Sequence, residues 1–127
     1  MTDGEKQQRA QKFLSLLGNP DEGVLRSVAV EDVVWTFPGA SPISGEAHGI
    51  ADVMKRAKTI AAHGVRVEII CPVYGYCSIA MILHNTGSRA GRVLDEHVAA
   101  VFSFRGDKVS RLDTHLSDVA MAEAFFA

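Results

Sequence analysis

Residues 35–49 read WTFPGASPISGEAHG, and the punctuation of this stretch decides the fold. Val33, Val34, Trp35, Thr36 and Phe37 are the β-branched and aromatic residues of a strand. Pro38-Gly39 and Pro42 break it, Ser44-Gly45 permits a further turn, and Gly49 leads into a helix over 50–62. A strand end, a Gly/Pro loop and a helix start in succession suit the mouth of a pocket in a small α+β domain.

Outward from this stretch, Ala10, Phe13, Leu14 and Leu17 recur at helical spacing before Gly18 and Asn19-Pro20, which predicts a first helix over 5–17. Asp21 is placed to cap a short second helix carrying Val24, Leu25 and Val28 on one face. In the third helix Ile50, Val53, Met54, Ala57, Ile60 and Ala61 share a face and leave Lys55, Arg56 and Lys58 nearer water. Four strands follow, at 65–70, 76–84, 93–104 and 108–116, the last two joined by a Gly106-Asp107 hairpin turn. The apolar tail 117–127 reads as a closing helix. Helices gathered on one side of a curved antiparallel sheet satisfy this order.

At 127 residues the chain makes one domain, 1–127, with room for one cavity. Thirteen basic and fifteen acidic residues leave a charge of -2 without a block of either sign, so no nucleic-acid partner is expected. Cys71 and Cys77 fit neither a disulfide framework nor a zinc site and read as free thiols in a reducing compartment. The opening MTDGEKQQRAQK carries no apolar run, and no stretch approaches the ~20 apolar residues of a membrane span. A cytoplasmic protein with no membrane partner is the expectation.

Asp113 and His115 lie two apart in a predicted strand and share a face with Arg111 and Val109, while Ser110, Leu112, Thr114 and Leu116 take the other. Asp95 and His97 repeat that spacing on the preceding strand, opposite in direction to Val98, Ala100, Phe102 and Phe104. Across the hairpin, His97 is expected to approach Asp113 and His115, an imidazole and carboxylate set able to move a proton, with Glu96 pointing away from it. Trp35, Phe37 and Tyr74 supply an apolar wall with a polar handle. The histidines His48, His63, His84, His97 and His115 form no compact ligand motif, so no metal and no cofactor are expected.

The order of elements, with WTFPG followed by SGEAHG before the third helix and VFSFRGDKVSRLDTHLSD near the end, resembles the SnoaL-like branch of the nuclear transport factor two-like, ketosteroid isomerase-like superfamily. The resemblance implies a cone-shaped α+β fold, a curved, mostly antiparallel sheet packed against three N-terminal and central helices, and a homodimer. It also implies that the isomerase general base falls at Phe37 and the buried isomerase acid at Ala100, neither able to carry a proton. The acidic residue of the cyclases and epoxide hydrolases finds its nearest candidate in Asp113, the cyclase position itself falling nearer Thr114.

The expected activity is a cofactor-independent lyase, cyclase, isomerase or hydrolase acting on a small apolar molecule. In this reading Asp113, His115 or His97 handles the proton and Trp35, Phe37 and Tyr74 shape the pocket. The alternative is a non-catalytic binding protein for a small hydrophobic ligand, or a dimeric interaction module.

Overall fold

The computed structural model describes residues 1–127. Its elements are α1 (Asp3–Ser15), α2 (Glu22–Val28), β1 (Ala29–Phe37), β2 (Gly45–His48), α3 (Gly49–Ala62), β3 (Arg66–Tyr74), β4 (Ser78–Arg89), β5 (Arg92–Arg105), β6 (Lys108–Leu116) and α4 (Val119–Phe126). The six strands form one sheet in the order β2-β1-β6-β5-β4-β3. All neighbours are antiparallel except β1 and β6.

The helices start where side chains can receive their free amides. Thr2 and Glu5 form a reciprocal capping box on α1, Asp21 accepts from Val24 N, and Asp118 accepts from Met121 N. α1 and α3 lay Phe13, Leu14, Val53, Met54 and Ile60 over the inner face of the sheet, and 30 buried hydrophobic residues form one cluster there. Phe13 packs edge-on against both Trp35 and Phe102, with ring centroids 5.9 and 5.5 Å away.

Three departures from the sequence reading have local causes. The loop after β1 returns as a short strand, β2, because Gly45–His48 pairs with Val34–Phe37. β3 continues through Pro72 to Tyr74 instead of stopping at Ile70; it is an edge strand, where a residue without an amide donor is tolerated. Arg56 is buried, not solvated: its guanidinium donates to Trp35 O at 2.6 Å and Gly45 O at 3.1 Å and lies over the Trp35 ring. It fastens α3 to β1 and β2 through one carbonyl of each.

One irregularity in β6 governs the site. Phe104 pairs with Val109 but Ser103 pairs with Arg111, so Ser110 is an extra residue on β6. Val109 and Leu112 are both buried although three apart, and beyond the bulge Leu112, Thr114 and Leu116 face inward. Strict alternation had put Val109 on the face of Asp113 and His115; the bulge removes that conflict.

α4 lies across the end of the sheet where β5 begins. Phe125 rests on Gly87, where an added Cβ would stand 2.9 Å from the ring's Cζ. Glu123 accepts from Ala40 N at 2.8 Å, the sulfur of Met121 accepts from Asp95 N at 3.2 Å, and Phe126 meets Phe37 edge-on. The helix is thereby tied to both the Gly/Pro loop and the central strands.

Candidate functional site

Between the inner sheet face and the helices is a cavity reached by side chains of α1, β1, α3, β4, β5, β6 and α4. Its empty space is about 520 Å³ measured out through its mouth, of which about 40 Å³ is open to the centres of water-sized molecules. Of 17 lining residues only Asn85, Glu96 and Thr114 are not apolar. Trp35 and Phe37 form part of the wall on β1, with Phe126 of α4 beside Phe37. The Trp35 indole N–H donates to Thr114 Oγ1 at 2.9 Å, so its ring is held in one orientation.

Glu96 is the only ionisable lining residue. The period of two along β5 turns Leu94, Glu96, Val98, Ala100 and Phe102 to the interior, all of them buried. Glu96 Oε2 is wholly enclosed and has no hydrogen-bond partner. Burial, followed by the negative charge of Asp118, raises its pKa from 4.5 to about 7. Asn85 stands directly across from Glu96 on β4, and its Oδ1 is likewise enclosed without a partner. Two facing polar atoms, both unpaired, thus share one part of an otherwise apolar chamber. A carboxyl that changes charge near neutrality can either give or take a proton there.

The residues expected to move the proton lie elsewhere. His97 is exposed on the outer face, its ring stacked on His84 with centroids 5.0 Å apart, and His84 Nε2 sits 2.7 Å from Asp95 Oδ1. His115 is exposed on the same outer face, opposite Ala99. Asp113 lies in the outer row too, accepting from Thr36 Oγ1 at 2.8 Å and from Arg111 Nε at 3.0 Å. Partial burial would raise its pKa, but the hydrogen bonds from Arg111 and Thr36 hold it below the ordinary value. The sheet itself separates Asp113, His115 and His97 from the cavity, because alternation sends odd-numbered residues of this region outward. Tyr74 is also outside the cavity, exposed at the end of β3, with its hydroxyl donating to Gln7 of α1 at 2.9 Å.

The signal for Glu96 was present in the sequence. It occupies the same alternating row as Leu94, Val98, Ala100 and Phe102, so an acidic side chain falls in register with core residues. The Asp/His spacing belongs to the complementary row, Asp95 and His97. No group of three or more His, Cys, Asp or Glu side chains is arranged to hold a metal ion.

No protein-family model matches the chain, and no curated protein matches it in sequence. Solved structures do match over nearly the full length. Bal32a, from a soil-derived mobile gene cassette, is 22% identical, with a TM-score of 0.85, over 97% of this chain and 99% of that one. An NTF2-like protein from Burkholderia xenovorans is 23% identical, with a TM-score of 0.83, over 98% of each chain. A protein described as a SnoaL-like polyketide cyclase, from Jannaschia, is 13% identical, with a TM-score of 0.72, over 100% of this chain and 97% of that one. The architecture is that of the NTF2-like proteins, as the element order of the sequence implied.

Proposed function

We propose that this chain, built on the NTF2-like fold, is a small-molecule enzyme of lyase, cyclase, isomerase or hydrolase type in which Glu96 moves the proton. The observation that carries this reading is the Glu96 carboxyl, enclosed on the inner face with an unpaired oxygen and a pKa of about 7. Such a group alternates between acid and base at neutral pH, and the apolar walls exclude competing water. Asn85 orients the reacting group, and Trp35 with Phe37 forms the wall against which its apolar part rests. Glu96 takes the role that the Asp/His spacing had assigned to Asp113, His115 and His97.

The test has two parts. Carbon NMR should show the Glu96 carboxyl titrating near 7, against ~4.3 for an unperturbed glutamate. Turnover found by screening enolisable ketones, epoxides and hydroxy ketones should fall by roughly 10²–10⁴-fold in Glu96→Gln. A midpoint near the unperturbed value, or turnover indifferent to the substitution, would sink the assignment.

A homodimer formed through the outer sheet face belongs to the same proposal. Val73 is exposed on the edge strand β3 opposite Ala80, and the half-exposed Ala80, Ile82, Ala99 and Val101 continue the apolar surface across β4 and β5. A surface of this kind is normally covered.

A further inference from the structure

We infer that the cavity selects a neutral hydroxyl compound of about one-ring size, a phenol or cyclic enol whose hydroxyl donates to Asn85 Oδ1 and accepts from the protonated Glu96 carboxyl. This rests on the reading of the cavity as a substrate site and names the chemistry it admits.

The polarity of the chamber supplies the argument. Asn85 Oδ1 and Glu96 Oε2 are both enclosed without a hydrogen-bond partner, and the two residues are direct cross-strand partners. Directly opposed side chains on an antiparallel pair begin about 4.5–5.5 Å apart at Cβ, so one small group can meet both. An unpaired buried polar atom is costly, and one hydroxyl relieves both: its O–H donates to Asn85 Oδ1 while its oxygen accepts from the protonated Glu96 carboxyl. A ligand bearing only carbonyl oxygens would leave Asn85 Oδ1 without a partner.

Charge makes the second selection. The lining contains no lysine, arginine or histidine. An anionic ligand would be buried without a counter-charge and beside a carboxyl group. Arg56, the buried cation on the far side of Trp35, is committed to the carbonyls of Trp35 and Gly45. A neutral donor therefore fits where a carboxylate does not.

Size makes the third. The space open to the centres of water-sized molecules, about 40 Å³, is on the scale of three such molecules. Val98 and its cross-strand partners Leu83 and Leu116 line it next to the polar pair. A planar ring against these side chains uses the apolar wall while its hydroxyl reaches Asn85 and Glu96.

The Trp35 indole N–H, the only indole in the chain, reports occupancy by NMR. The protein is titrated with phenol, benzoate and toluene at about pH 6, where Glu96 holds its proton, phenol is neutral and benzoate is charged. Phenol should bind at least about tenfold more tightly than either of the other two, and Asn85→Leu should reduce its advantage over toluene to within about twofold while toluene still binds. At about pH 8, where Glu96 loses its proton, benzoate binding should weaken further and Glu96→Gln should restore it. Benzoate binding as tightly as phenol, or an unchanged phenol preference in Asn85→Leu, would overturn the selectivity while leaving the cavity a ligand site. Binding of none of the three would overturn both this inference and the reading of the cavity on which it rests.

Discussion

Glu96 places a carboxyl where the neighbouring residues of its row place only hydrocarbon, and folding must accommodate that group. Because its pKa is raised in the folded state from 4.5 to about 7, the folded protein holds this proton more tightly than the unfolded chain. Between those two values the folded state binds more protons, so this residue's contribution makes stability fall as pH rises through the window and level off above it. In Glu96→Gln that contribution should vanish. Denaturation of both proteins in urea at pH 5 and at about pH 8 checks it: the variant should gain on the parent at the higher pH. An equal pH response in the two proteins would contradict the raised pKa. Asp113 illustrates the opposite environment, since Arg111 and Thr36 stabilise its charged form.

At the scale of elements, the C-terminal helix α4 contributes Phe126 to the cavity and presses Phe125 onto β4. Gly87 is the point of closest approach, and a methyl group there would meet a ring that is fully buried beside Phe126 and near His63. Gly87→Ala should therefore destabilise the protein by about 1–3 kcal/mol, as overpacking does. Thermal unfolding checks this, and a melting temperature equal to that of the parent would mean that α4 shifts freely. Much of this level was legible in the sequence. Asp21 and Asp118 are recognisable caps, and the hydrophobic spacing of α1 and α3 survives in their buried faces. The short β2 was not legible, because only its pairing with β1 makes Gly45–His48 a strand. The burial of Arg56 escaped helical spacing for a related reason: its partners are two carbonyls brought together by the β1–β2 turn.

For the whole molecule, the sheet divides two chemistries. Its inner face carries the Asn85–Glu96 pair in an apolar chamber, and its outer face carries histidines, acids and a central apolar strip. The element order specified the cone, but strand composition alone did not specify which row of β5 or β6 faced inward. In β5 the row of Leu94, Val98, Ala100 and Phe102 is the more apolar, but Glu96 within it and Ala99 and Val101 in the other blur the difference, and in β6 the decision waits on a bulge formed against β5. The outer strip leads to a prediction about assembly. Sedimentation at micromolar concentration should give the mass of two chains, and Val101→Glu, placed in the middle of that face, should weaken association by at least about tenfold, equivalent to ~1.4 kcal/mol, with the circular dichroism unchanged. A monomeric parent would exclude this assembly. Neither face carries a helix able to cross a membrane, since no helix of the protein is long and apolar enough.

The extra residue at Ser110 gives the last strand a property that composition cannot express. Residues 111–116 carry two sets of side chains, Arg111, Asp113 and His115 in one and Leu112, Thr114 and Leu116 in the other, and a one-residue change of length upstream exchanges them. In this chain a single-codon insertion or deletion just upstream of Arg111 would therefore turn Arg111, Asp113 and His115 toward the cavity in place of Leu112, Thr114 and Leu116, with every residue downstream of it retained.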